Sequence, residues 1–457
     1  MNILANTGSA HSSAANPYVQ GFRQVADSDF NSASRQIDIK LEIYFDEEPF
    51  VVSKADYLID AAWLEEISAD SSSILGVISS NELSFRLFND GRFSPTNSTG
   101  PFYGKIKAGV PVKLFARTLN ANIEWTQLGL YFVTGWDARV TGTYADVVAN
   151  DIWYYIFSSQ MVNYPVTQNI SYYTLLTEVF SALSYTVTVD AALTTVLPYA
   201  YISKSLKNFL SGLLPSSLAF AMCDKAGAPM IEAFVKARTL RATLYDTDQI
   251  KIIDAKQSIT KAYDGVTINY VIPKLSDVTE LVAAIQIEVP VGTSTIQNIA
   301  YTYSPVWDLT HVIVRDIDNT VNVVSYDSTQ ELLSVTVNNT GAAAALIDVY
   351  AYGKFVDYTP VVLTDTGTAL LQAGNEYIQT AAHAAVVKDI LNNFVTVDSS
   401  TLTAQIRGNP LLSIGDKVTF SSVKYNINFT GIIQRLKYQY IGGLDCEITV
   451  LNTDIFV

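Results

Sequence analysis

The chain has 457 residues, which at roughly 150 residues per domain leaves room for about three domains and several cores. Its 29 Lys+Arg against 44 Asp+Glu give −15 at pH 7, with only 16% of residues charged and 11% aromatic. That balance excludes intrinsic disorder, which needs low hydrophobicity with dense charge, and a basic nucleic-acid binder, which needs a Lys/Arg excess.

Residues 1–36 are small and polar with little periodicity (His11-Ser12-Ser13-Ala14-Ala15-Asn16, then Ser28–Ser34), the pattern of an extended arm. Met1–Asn6 has neither a basic start nor an apolar run, so no secretion signal is expected, and no stretch of about 18 apolar residues predicts a membrane anchor. From Ile37 the pattern changes: Ile37, Ile39, Leu41, Ile43 and Phe45 alternate with polar or amphipathic residues, as a half-buried strand requires. Short apolar runs continue to 157 between Asn89-Asp90-Gly91, Asn97–Pro101, Ala108-Gly109 and Gly135, spacing that predicts a first β-barrel or sandwich domain over 37–157. Ala149–Phe157 fits either a helical turn or a last strand.

Residues 158–260 predict an α/β insertion. Tyr172, Leu175, Leu176, Val179, Phe180 and Leu183 have helical spacing behind a capping Ser171. Leu206, Phe209, Leu210, Leu213 and Leu214 repeat that spacing, with Pro215 expected to end the helix. Strand-like Leu218–Met222, a Gly227 turn, Met230–Phe234 and Ile250–Ile253 follow. Alternation returns at Val266, Ile268, Tyr270 and Ile272 and predicts a second β domain over 261–366. A C-terminal helix-plus-β domain covers 367–457: the longest helix candidate is 367–394, through Leu370, Tyr377, Ala384 and Leu391, and Tyr425–Ile433 and Leu444–Val450 alternate as strands. The fold class is therefore mainly β, with two tube-like β-barrel or sandwich domains, an α/β insertion and a C-terminal helix-plus-β domain. Two β blocks around a helical module predict an internally duplicated β architecture.

A search for chemistry returns no catalytic, cofactor-binding or metal site. His11, His311 and His383 fall in three separate segments and are expected at surfaces or interfaces. Cys223 and Cys446 make no disulfide framework, as befits a reducing cytoplasm, and end or alternate within apolar runs as small core residues. The acidic pairs Asp246/Asp248 and Glu47/Glu48 carry no spacing that fixes a reaction, and Asp316–Asn319 lacks the glycine and distal glutamate of a calcium loop, so it reads as a polar turn. Phosphate-binding glycine loops are absent.

Three stretches carry a resemblance. Ser80–Pro95 with Gly100–Val112 is similar to the "N-x-D/G-R-F-S-P … Y-x-G-x-I-x-x-G-x-P-V" run of phage minor tail and tail-hub proteins. Leu128–Val133 through Trp136 to Val147–Asp151 resembles their "G-x-Y/F-x-V … W … A-x-D" pattern. Arg407–Pro410, Ile414–Val418, Phe429–Ile433 and Tyr440–Leu444 look like their "G-N-P … G-D-x-V … G-x-I … G-G-L" ending. The resemblance implies a non-enzymatic virion protein made in the host cytoplasm. It would form the hub at the distal end of a phage tail, a homotrimeric ring whose partners are the tail tube or distal tail protein and the tip or spike. DNA would pass through its lumen without specific binding. It assigns turn and core roles to Gly109, Gly129, Trp136, Gly408, Pro410, Gly415, Asp416, Gly431, Gly442 and Gly443. The rival readings are a receptor- or carbohydrate-binding β module of a tail or cell surface, and an enzyme, for which no acid/base or metal constellation is found.

Overall fold

A computed structural model describes residues 36–67, 79–119, 124–138, 143–158, 161–245, 255–259, 263–396, 400–423 and 426–452. The expected arm with His11, the Asp246/Asp248 pair, the Ile250–Ile253 run and Tyr425 lie outside these residues.

Alternation dictates the first seven strands: β1 (Ile37–Ile43), β2 (Phe50–Ser53), β3 (Leu58–Glu66), β4 (Glu82–Phe88), β5 (Pro111–Thr118), β6 (Thr126–Ala138) and β7 (Tyr144–Asn150). In β1 every odd residue from Ile37 to Ile43 is buried, as a pleated strand with one face on a core must be. Ala149–Phe157 contains both predicted outcomes: the strand ends at Asn150, and α1 (Ile152–Ser158) follows.

The insertion contains β8 (Met161–Ser171), α2 (Tyr172–Ala182), β9 (Thr188–Val189), β10 (Val196–Ser205), α3 (Leu206–Ser216), β11 (Ala219–Cys223) and β12 (Pro229–Ala233). Ser171 caps α2 by accepting the Thr174 N–H, and Ser205 caps α3 through the Asn208 N–H. Pro215 does not stop α3; it sits inside the last turn, and the helix closes at Ser217. The predicted apolar stripes of α2 and α3 bury Leu175, Leu176, Phe209 and Leu210 with Trp153 in a core of their own.

After β13 (Leu240–Tyr245) and β14 (Ala255–Ile259) come β15 (Gly265–Leu275), β16 (Glu280–Val289), β17 (Gly292–Ala300), β18 (Val306–Asp316), β19 (Val321–Ser328), β20 (Leu332–Asn339), β21 (Ala345–Thr364) and β22 (Leu370–Ala373). The outer half of β21 pairs with β16 and β18, and β17-β20-β19 form the facing sheet, so this stretch is a sandwich around Val282, Leu333, Val335, Val337 and Ile347. The inner half of β21 pairs with β15, whose Val266 and Ile268 enter the main core. The β15–β21 ribbon thus joins the sandwich to the main core, and the Ser203 hydroxyl, donating to Glu331 at 2.9 Å, ties the sandwich to the insertion. At the far end of the sandwich Asn339, 1% exposed, ties two turns together: its side-chain N–H groups donate to the Val289 carbonyl at 3.3 Å and the Ala343 carbonyl at 2.9 Å.

The chain closes with α4 (Ala381–Thr396), β23 (Ser400–Arg407), β24 (Lys417–Ser422), β25 (Ile427–Tyr440) and β26 (Leu444–Asn452). The predicted helix over 367–394 is corrected here. Leu370 lies on β22, Tyr377 is buried in the following turn, and only Ala384 and Leu391 are helical. Gly374 is the cause: it takes φ +97°, where an added β-carbon would collide with the Asn269 backbone, and this breaks any helical start before it.

Thirteen strands form one sheet in the order β14-β23-β26-β25-β3-β4-β7-β6-β5-β1-β2, with β24 and β13 branching from β25. Its path is open, so of the expected barrel or sandwich the structure shows the sandwich-like alternative. The seam between N-terminal and C-terminal strands is β3 against β25, antiparallel from Arg435↔Glu66 to Tyr440↔Ala61. Inside that seam Trp63 and Tyr438 stack at 4.6 Å and 18°, both essentially inaccessible, a contact worth about 0.5–1.5 kcal/mol beyond the area it buries.

Candidate functional site

Two places stand out for function: the outward face of the large sheet, and a buried polar junction behind it. Alternation that buries Ile39, Leu83, Val147 and Ile448 turns the intervening residues outward, and charged ones among them meet across the strands with opposite signs. Asp38 faces Arg117 (3.0 Å), Arg86 faces Asp146 (2.7 Å) with Asp60 at 3.9 Å, and Arg435 lies between Glu66 (3.4 Å) and Glu447 (3.9 Å). Such exposed pairs contribute roughly 0–1 kcal/mol each. Their consequence is a surface on which Arg86, Arg117 and Arg435 are each matched by a carboxylate.

At one end of this sheet the loop between β4 and β5 is long but tightly pinned. The Asn89 side chain accepts the N–H groups of Gly91 and Phe93, and the Asn97 amide donates to the Gly91 carbonyl. Phe93 and Phe102 stack at 5.7 Å, Phe45 and Phe102 at 4.2 Å, and the Trp136 indole donates to the Phe93 carbonyl at 2.9 Å. Tyr103 stands exposed on that loop. Long loops held this firmly commonly carry function.

The junction lies where β7 passes into α1. Asp151 is 2% exposed; its carboxylate accepts the N–H groups of Asn81 and Trp153, both at 3.0 Å. The Cys223 side chain lines the same cavity as Asp151, and the Trp153 indole donates to the Met222 carbonyl at 2.7 Å. Beside them Lys225 donates to Glu65 at 2.8 Å and to the Leu412 carbonyl at 3.1 Å. Asp151, Asn81, Cys223, Lys225 and Glu65 line a cavity of about 10 Å³ with Tyr131, near the lower bound for one water. Burial pushes the Asp151 carboxyl up to about 7, against the pull of the N–H donors and the thiol. Burial likewise raises the Cys223 thiol well above its usual range, which leaves it a poor nucleophile.

The residues to which the sequence gives turn and core roles are distributed along the main sheet. Trp136 closes the pinned loop, Gly129 lies under the Tyr131 ring, and Gly109 occupies a turn. Gly408 and Gly431 sit against Leu444 and the Leu451 carbonyl, and Pro410 is buried beside Asn409, whose carbonyl accepts the Tyr438 hydroxyl at 2.7 Å. Gly415 and Asp416 form the turn into β24, where the Asp416 carboxylate accepts the Ser413 N–H. Gly442 turns β25 into β26, while the neighbouring Gly443 meets open space and nothing there requires a glycine. His311 stacks on Tyr352 at 4.8 Å on the sandwich, and His383 binds the Ser216 carbonyl at 2.8 Å. Cys446 is buried, and Asp316 accepts the Thr320 N–H within a polar turn. Among the described residues no three His, Cys, Asp or Glu side chains gather as metal ligands.

Sequence reading missed the junction because its parts lie 70 or more residues apart, as Asn81 and Asp151 do. The available signal was an acid, Asp151, lodged between the apolar runs of β7 and α1.

No protein-family model matches the chain, and no curated protein matches it. Solved structures do. The 43 kDa tail protein of prophage MuSo2 from Shewanella oneidensis superposes with a TM-score of 0.53 at 11% identity, over 92% of this chain and 100% of that one. The tail protein from Neisseria meningitidis MC58 gives 0.53 at 7% identity, over 92% and 98%. The fold of this chain is the fold of those tail proteins.

Proposed function

We propose that the chain is a structural protein of a phage tail, the hub at its distal end that joins the tail tube to the tip or spike. The observation that carries this reading is end-to-end likeness in fold: 92% of this chain corresponds to 98–100% of two tail proteins, so no part of their architecture is missing. The continuous sheet supports it. A hub must hold its wall rigid, and a wall in which N-terminal strands hydrogen-bond to C-terminal ones cannot part along a domain boundary. In a homotrimeric ring the charge-paired face would line the lumen. Because Arg86, Arg117 and Arg435 are already engaged by carboxylates, that lining offers DNA phosphates no surplus of positive charge, and the genome slides past it unbound.

Light scattering on the purified chain tests the reading against 50.1 kDa for one copy. The expected result is a three-fold mass and capture by tail-tube protein. A monomer that ignores tail-tube protein overturns it.

The binding-module reading has one observation of its own, the sandwich. Between residues 276 and 356 nine Asp or Glu face only Arg315 and Lys354, so this stretch holds −7 of the chain's −15. Its outward sheet carries Tyr352 under His311 and Tyr350 under Arg315. Within a hub, this projecting module is the part suited to an outside ligand.

A further inference from the structure

The junction around Asp151 has no part in the assembly face, yet it joins three sections of the chain. Asn81 precedes β4, Asp151 and Trp153 bracket the entry into α1, and Cys223 ends β11 of the insertion. Asp151 and Asn81 exchange hydrogen bonds, with the Asp151 N–H donating to the Asn81 carbonyl at 3.0 Å and the Asn81 N–H donating back to the carboxylate at 3.0 Å.

We propose that this junction is a proton-operated clasp: with the Asp151 carboxyl neutral the insertion is held against the first β unit, and its ionisation loosens that hold. The groups facing the carboxyl explain why. From β3 comes Glu65, from β6 Tyr131, from β11 Cys223, and from the turn beyond it Asp224 and Lys225. Lys225 is the one cation among them, and it is committed to Glu65 and to the Leu412 carbonyl. An ionised Asp151 therefore sits buried with two N–H donors, a thiol and no cation bonded to it. A buried charge so placed is relieved by opening to water. Burial, which moves the carboxyl up to about 7, sets the range in which the clasp works. The thiol, raised well above its usual range, stays protonated there and acts as a donor.

The sign follows from linkage. The closed junction keeps its proton to about pH 7, while the opened one releases it near the ordinary carboxylate value, so opening becomes up to about tenfold easier per pH unit until the plateau. Above about pH 7 both states are ionised and the dependence stops.

Hydrogen exchange on the full chain, corrected for the intrinsic pH dependence of exchange, reads this out at the amides of α1 and β11. The expected result is protection that falls steadily between about pH 5 and 7 and levels above it. Amides of β20, which belong to the separate sandwich core, serve as the control and stay level. Asp151→Asn flattens the profile. Cys223→Ala removes a donor to the ionised form and moves the plateau to higher pH, and it serves alone if Asp151→Asn does not fold. A flat profile in the native chain, a slope that survives Asp151→Asn, or a plateau unmoved by Cys223→Ala overturns the proposal.

Discussion

Gly415 holds φ at +81° in the turn that aims β24 along β25, its N–H donating to the Ile433 carbonyl at 2.8 Å and its own carbonyl accepting Arg238 at 2.8 Å. An added β-carbon would meet Phe220 at 3.1 Å, and a β-branched residue is strained at that φ in any case. Gly415→Val is therefore expected to cost several kcal/mol, on the order of 2–4, and to lower the soluble yield; a melting temperature equal to that of the native chain would remove the turn from the account. Asp151 works at the same scale but through pH. The folded chain keeps a proton that the unfolded chain loses near 3.8, and loses it itself only near 7. Stability from this group is full below about pH 4 and falls as pH rises through 7, by at most roughly 4 kcal/mol. Thermal melts at pH 5 and pH 8 check it: the fall between them should be larger in the native chain than in Asp151→Asn. Gly415 was legible in the sequence because a glycine beside an acid after an apolar run marks a turn. The role of Asp151 was not, since nothing local says that Asn81 and Cys223 will surround it.

Among the elements, the amphipathic ones were the easiest to read. The alternation of β1 and the helical stripes of α2 and α3 are local patterns, and one buried face suffices to fix each. The region around α4 shows where such reading fails. Leu370, Tyr377, Ala384 and Leu391 are all apolar positions at heptad spacing, yet they lie on a strand, a turn and a helix in succession, with Leu370 only half-buried, Tyr377 in the core of the insertion, and Ala384 and Leu391 in the main core. Spacing alone does not distinguish one helix from three successive elements; Gly374 does. The sandwich gives an element-scale prediction. It has its own core, and Leu275 and Val356, at its base, are paired across the ribbon. Replacing residues 277–354 by a short Gly-containing turn should leave the rest folded, with strand content and a cooperative melt retained. Loss of the cooperative melt would mean that Trp307 against Tyr199 and Glu331 against Ser203 hold more than a surface.

At the scale of the whole molecule, the β class and the α/β insertion follow from pattern, while the seam between β3 and β25 does not. Strand pairing over such a distance leaves no periodic trace, because Trp63 and Tyr438 each look like an ordinary inward residue of a separate strand. A fragment ending at residue 366 should therefore be insoluble: it keeps β3 paired with β4 but leaves the other edge of β3 bare, a template for stray pairing. A soluble, monodisperse fragment would show that the N-terminal strands stand without their C-terminal neighbours. The same seam sets a timetable for synthesis. Leu64 must wait for Lys437 to emerge, and at roughly 5–20 residues per second that is a delay of about 20–75 s. Throughout that interval a hydrophobic strand edge is offered to every other nascent copy nearby. Premature association is the main hazard of that period, and the strands that complete the seam are the ones that end it.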